Sequence, residues 1–208
     1  MSVRLHTMTV GPIATNCYIL STDEYPEKAV VIDPGDEADA IEDCLKELHL
    51  EPCAILLTHG HYDHILAVNP LKQQWPECEI LISEDERNMV EDSSLNCQFG
   101  FPDMSIHPDR YVSDGEHLTY AGMEFIVIKS PGHTAGSVCY YLEKEGILFS
   151  GDTLFRRGFG RTDLPTGNYE DLLRSLVMLL QTLPPETVVY PGHGLNTLIR
   201  EEKRLHGL

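Results

Sequence analysis

The chain has 208 residues, enough for one large domain with a full hydrophobic core. Its 15 Lys and Arg stand against 33 Asp and Glu, for a formal net charge of −18. That balance argues against attraction to nucleic acid or anionic membrane, which needs clustered cations, so any anionic substrate must meet positive charge arranged locally. Strand-like runs open the chain at 4–10, 16–22 and 29–33, the last closed by the turn signal PGD. Residues 37–50 place Ile41, Leu45 and Leu48 at helical spacing behind an acidic start. A strand at 54–58 (AILLT), a helix at 65–75, a strand at 79–83 and a short acidic helix at 84–91 follow. Residues 92–116 are rich in turn formers and lack periodicity, which predicts a long loop able to overhang a site. Strands resume at 123–129, 137–143 and 146–150. The helix at 168–183 has Asn168 as N-cap and Leu172, Leu173, Leu176, Leu179 and Leu180 on its buried face. A strand and turn, TVVYPGHG, and a terminal helix at 196–206 complete the chain. Strands followed by helices, twice over, predict packed layers of an α/β architecture.

The opening residues show no secretory signal pattern, and no apolar run is long enough to span a bilayer, so a cytoplasmic protein is expected. Six cysteines (Cys17, Cys44, Cys53, Cys78, Cys97, Cys139) form no C-x-x-C pair and read as small core residues in a reducing compartment.

Chemistry concentrates at strand ends. In LLTHGHYDHI (56–65), His59 and His61 alternate along extended backbone and can leave one face together, while Asp63 and His64 follow where the chain turns into a helix. The device strand-then-PGH recurs at IVIKSPGH and TVVYPGH, delivering His133 and His193, and LFSGDTLF delivers Asp152. So many donors cannot converge on one small ion, which predicts two adjacent metals. His59, His61 and His133 would hold one, Asp63, His64 and His193 the other, and the Asp152 carboxylate would bridge them. Nitrogen and carboxylate ligands suit zinc and tolerate iron or manganese. A structural zinc site would be rich in cysteine, and none lies in the cluster. His6, His49, His107, His117 and His206 stand alone and read as ordinary core or surface residues. Two divalent cations against two carboxylates leave the centre positive, which favours ionised water at neutral pH and therefore hydrolysis.

With THGHYDH, PGHTAGS, FSGDTLF and YPGHG in this order, the chain resembles the metallo-β-lactamase-fold hydrolases, and within them the glyoxalase II-like group. The resemblance implies a four-layer αββα sandwich forming a single domain over 1–208, with the dimetal site at the edge of its two sheets. It implies the seven ligands named above. It also points to Asp33, in VIDPGD, as an aspartate supporting the site from behind, the alternative being a simple turn residue. Arg161 occupies the place of a cation that grips glutathione in that group, where it would clamp a carboxylate or else form a structural salt bridge. Two residues later Asp163 stands where the best-known glyoxalase II enzymes carry tyrosine, and the chain is too short for their full C-terminal helical domain. The implied activity is cleavage of a small-molecule acyl thioester, such as S-D-lactoylglutathione, by a metal-bridging hydroxide that Asp63 helps to orient. The competing class is a mononuclear iron persulfide dioxygenase, which shares the fold and a GRTD-like segment. A nuclease is disfavoured by the acidic surface, and a periplasmic lactamase by the missing export signal.

Overall fold

The computed structural model describes residues 2–96 and 105–207. The first half supplies β1 (Val3–Val10), β2 (Thr15–Thr22), β3 (Lys28–Ile32), α1 (Ala38–Glu47), β4 (Glu51–Leu56), α2 (Tyr62–Ile65), α3 (Val68–Gln74), β5 (Glu79–Ser83), α4 (Arg87–Glu91) and β6 (Arg110–Val112). Its strands form a six-stranded sheet in the order β1-β2-β3-β4-β5-β6. The first three pair antiparallel through tight turns, and the rest run parallel, as their helical crossovers require.

The second half supplies β7 (His117–Tyr120), β8 (Met123–Lys129), β9 (Val138–Leu142), β10 (Ile147–Gly151), the hairpin β11 (Leu154–Phe155) and β12 (Gly158–Phe159), α5 (Tyr169–Thr182), β13 (Val188–Pro191), β14 (Thr197–Leu198) and α6 (Ile199–His206). A second six-stranded sheet has the order β14-β13-β10-β9-β8-β7.

Alternation along each strand explains the layering. In β2, Cys17 and Ile19 pack towards α1 and α3, while Tyr18 and Leu20 meet the second sheet. A strand covered on both faces reads as one continuous apolar run. Between the sheets lie Leu20, Ile32 and Leu56 from one side and Phe125, Tyr140 and Phe149 from the other. Burying each such side chain contributes about 1.5–3 kcal/mol. Beyond the second sheet, Leu172, Leu176, Leu179 and Leu180 of α5 and Ile199 of α6 close an outer core with Cys139, Leu148 and Val189. The result is the predicted four-layer αββα sandwich.

Several predicted boundaries move. The loop expected over 92–116 contains β6, which Asp109 anchors by accepting from Ile80 N at 2.8 Å. Three residues are too few for alternation to show in sequence. Residues 97–104 of that loop, Cys97 included, lie outside the described residues, and the other five cysteines are free. The helix expected at 65–75 is two helices, because the N–H groups of Leu66 and Ala67 bond to Gly35 O and Pro34 O in the PGD turn. Residues 197–198 pair with β13, so the terminal helix starts at Ile199. Leu173 does not belong to the buried stripe: it is 39% exposed, with Tyr169 and Val177 beside it on the solvent side of α5. No helix among the described residues is long and apolar enough to cross a membrane.

Strand direction decides where the site forms. β8 and β10 each run antiparallel to β9, and β13 runs parallel to β10, so β8, β10 and β13 end at the same edge of their sheet. β3 and β4, parallel neighbours, end together in the other sheet. Hydrogen bonds from Asn16 N to Gly192 O (2.7 Å) and Val138 N to Thr58 O (2.9 Å) stitch these edges together.

Candidate metal centre

Each predicted ligand sits just past a strand. His59 and His61 follow β4, and His61 is the N-cap of α2, so Asp63 and His64 occupy the first turn of that helix. His133 lies in a closed loop after β8, pinned by Ser130 N to Ser137 O (2.9 Å) and Gly132 N to Thr134 O (2.9 Å). Asp152 and His193 follow β10 and β13.

The side chains converge as three overlapping groups: His59, His61 and His133; His59, His64 and Asp152; and Asp63, His64 and His193. Within each group the donor atoms lie within 4.8 Å of one another. His61 Nδ1 faces His133 Nε2 at 2.8 Å, a spacing that suits a shared proton or two nitrogens turned on one cation. Asp152 spans the cluster, with Oδ1 at 3.4 Å from His64 Nε2 and Oδ2 at 3.5 Å from His133 Nε2 and 3.6 Å from His193 Nε2. Asp63 Oδ2 lies 3.3 Å from His64 Nε2 and 3.2 Å from His193 Nε2. The structure therefore brings all seven predicted ligands together.

Atoms on the far side of these rings are spoken for. His64 Nδ1 donates to Asp33 Oδ2 (3.0 Å), and the same carboxylate accepts from Thr58 N (2.8 Å) and Thr58 Oγ1 (2.7 Å). His133 Nδ1 donates to Arg161 O (2.7 Å), and His193 Nδ1 to Ala14 O (3.3 Å). Such contacts fix the tautomer and aim the opposite nitrogen inward. By contrast, His59 Nε2, His61 Nε2, His64 Nε2 and Asp152 Oδ1 are buried with no hydrogen-bond partner among the described residues. An unsatisfied buried polar atom costs about 1–3 kcal/mol, so several at one spot mark a place for a group from outside the chain. Imidazole nitrogens and carboxylate oxygens are the donors that a pair of divalent cations takes.

Electrostatics divide the cluster in two. Burial, reinforced by the neighbouring imidazoles, pushes His59 well below the usual range and His61 down to about 3; burial lowers His133 as well. These are neutral nitrogen donors. Burial also acts against the charge on His64, but Asp63, Asp152 and Asp33 overcome it and hold that imidazole well above its ordinary value. His193 is raised in the same way by Asp63 and Asp152. In return, against the effect of burial, His64 and His193 hold the Asp63 carboxyl well below the usual carboxylate range, and His64, His133 and His193 lower Asp152. The positive charge drawn onto these two rings is what a cation would supply instead, releasing both as neutral ligands.

Backbone approach is tight here. A Cβ on Gly192 would lie 2.2 Å from Asp152 Oδ1 and 2.7 Å from His64 Cε1, so the glycine of this PGH turn leaves room for the cluster itself. Arg161 contributes through its backbone carbonyl on His133, while its guanidinium grips Asp163 bidentately at 2.7 and 2.8 Å and holds that carboxyl down at about 2. Sequence reasoning missed Thr15, whose hydroxyl donates to Asp63 Oδ2 (2.9 Å), and Asn16, whose amide bonds to Pro191 O (3.0 Å) and Gly194 O (2.9 Å) around His193. A threonine opening a strand carries no signal that its partner lies 48 residues away. The buried Glu86, in a 3₁₀ turn after β5, was equally silent.

Residues 10–193 match the metallo-beta-lactamase superfamily, and the chain belongs to it. Its class is thereby a metal-dependent hydrolase of a family acting on small-molecule substrates, and its His and Asp cluster is compatible with a binuclear site. The chain is similar to the probable metallo-hydrolase YqgX of Bacillus subtilis (strain 168), 38% identical over 199 residues that cover 94% of this chain and 92% of that one. It is also similar to the hydroxyacylglutathione hydrolase GloC of Haemophilus influenzae, 35% identical over 205 residues covering 97% and 96%. Among solved structures, the BLEG-1 B3 metallo-beta-lactamase has a TM-score of 0.90 at 40% identity and 97% coverage of both chains. A di-iron-bound form of TTHA1623 has a TM-score of 0.84 at 36% identity, covering 96% of this chain and 98% of that one. For ETHE1 from Myxococcus xanthus the TM-score is 0.80 at 32% identity, covering 97% and 82%.

Proposed function

We propose that this enzyme hydrolyses small acyl thioesters, of which S-D-lactoylglutathione is the type, at two divalent metal ions held by His59, His61 and His133 and by Asp63, His64 and His193, with Asp152 shared. The observation that carries the reading is the convergence of these seven side chains, with buried inner atoms that have no hydrogen-bond partner among the described residues. Similarity to GloC of H. influenzae along nearly the whole chain supports the substrate class. Zinc is the metal proposed. The di-iron form of a similar structure makes iron the natural competitor.

A metal pair of this kind polarises a carbonyl and lowers the pKa of water from ~15.7 to ~7. The protein's own part is to hold the donors rigidly. Asp33 and the carbonyls of Arg161 and Ala14 set the tautomers of His64, His133 and His193. Asp63, whose Oδ2 accepts from Thr15 and faces His64 and His193, would orient the attacking water. A thiolate leaves readily because thiols ionise near ~8.5, so the site need not protonate the leaving group. The amine released from a β-lactam would need that proton. Arg161 would take a substrate carboxylate in exchange for Asp163, since both side chains are solvent-exposed and an exposed pair is held weakly. We place the reaction in the cytoplasm.

A second reading has its own support. The set His59, His64 and Asp152 offers two histidines and one carboxylate, the ligand types of mononuclear iron oxygenases, and ETHE1 from Myxococcus xanthus is a similar structure. A persulfide dioxygenase is the activity that follows from it. The test is elemental analysis of protein purified without added metal, with S-D-lactoylglutathione, a cephalosporin and glutathione persulfide assayed on the same sample. Two metal equivalents with thioester cleavage are expected. A single iron with oxygen consumption on persulfide, or hydrolysis of the cephalosporin alone, would overturn the proposal.

A further inference from the structure

Two loops bring the nitrogen-only trio together: residues 59–61 carry His59 and His61, and residues 130–137 carry His133. They come from different sheets and are joined at their bases by Val138 N to Thr58 O (2.9 Å) and at the ligands by the approach of His61 Nδ1 to His133 Nε2 (2.8 Å). Between them stands Glu86, a carboxylate only 1% exposed. Its Oε2 accepts from Gly60 N and its Oε1 from Gly136 N, each at 2.8 Å. The first N–H belongs to the residue between two proposed ligands, and the second lies three residues after the third ligand.

The approach on both sides is close enough to demand glycine. A Cβ on Gly136 would lie 2.6 Å from Asp85 C and Glu86 N, and one on Gly60 would lie 2.6 Å from Met89 Cγ. Burying a carboxylate is unfavourable unless its oxygens are hydrogen-bonded, and these two oxygens are spent on the two ligand loops. We propose that Glu86 is a positioning residue that sets the spacing of the first metal position by clamping the His59–His61 loop to the His133 loop. The clamp rests on the two-metal reading of the site and goes beyond it, since Glu86 bonds only the two loops of the first position while the second leans on Thr15 and on Asp33, which also holds Thr58 beside His59.

Chemistry makes the clamp specific to a carboxylate. Two converging N–H groups need two acceptors. The amide of glutamine would accept from one and set its own N–H against the other, leaving a buried donor unsatisfied.

The experiment is ¹¹³Cd NMR with chelator competition on the full-length protein, wild type against Glu86→Gln. With Asp152 shared, cadmium held by three histidines and cadmium held by two histidines and the further carboxylate of Asp63 would give separate resonances. For the folded variant the three-histidine position should weaken by about 10–100-fold, the range for residues that orient metal ligands, with its resonance shifted or broadened while the other holds. A resonance pair and affinities matching wild type would overturn the clamp. If Glu86→Gln does not fold, Gly136→Ala, which drives the loop off Glu86, decides between the same two results. A wild-type protein that binds a single cadmium overturns the two-metal reading instead, and the clamp with it.

Discussion

The two halves of the candidate metal centre are built differently. His59, His61 and His133 are buried, at 3% exposure or less, and neutral. Glu86 braces them only through the backbone. Asp63, His64 and His193 mix charge with partial exposure, the His193 side chain being 26% exposed, and lean on side-chain partners in Asp33 and Thr15. One half is a buried cage of neutral nitrogens. The other is an ion-pair network in which Asp63 faces His64 and His193.

Asp152 belongs to both halves, and its removal should erase the difference between them. In Asp152→Ala, metal content should fall below two equivalents and thioester cleavage to background, measured by elemental analysis beside the assay; an unchanged rate would sink the site assignment. Gly192→Ala pushes a methyl group against Asp152 and His64, and should cost most of the bound metal while leaving the far-ultraviolet circular dichroism intact. Asp33→Asn acts first on the second half, loosening His64: that position should weaken by about 10–100-fold in chelator competition, with a smaller effect on the nitrogen cage, which Asp33 reaches through Thr58 beside His59 Nδ1 (3.1 Å). Equal weakening of both positions would show that the halves are not independent. Thr15→Ala removes one hydrogen bond from Asp63, worth about 0.5–1.5 kcal/mol, and should produce a few-fold loss at the same position.

Readability from sequence follows the same divide between local and distant causes. The ligand loops were legible because each one is a short word: T-H-G-H-Y-D-H, P-G-H-T, S-G-D, P-G-H. Long strands and the capped α5 were legible because their periodicity and the Asn168 cap are local. β6 and β14 were not, since strands of three and two residues exist only through their neighbours. Leu173 misled because a run of leucines says a helix is buried without saying how wide the buried stripe is. Arg161 was read for its guanidinium, but the contact it makes with the cluster comes from its carbonyl, which any residue would carry.

By itself, then, the order of residues determined which metal-binding side chains stand at strand ends and which layers would form, because donor chemistry lives in side-chain type and layering in apolar periodicity. Only the tertiary structure decided that β8, β10 and β13 end together, that Glu86 stands between two loops, and that the cluster has a neutral half and a charged half. Those outcomes depend on strand direction and on burial, which raise or lower a charge through everything packed around it and which no local stretch of sequence encodes.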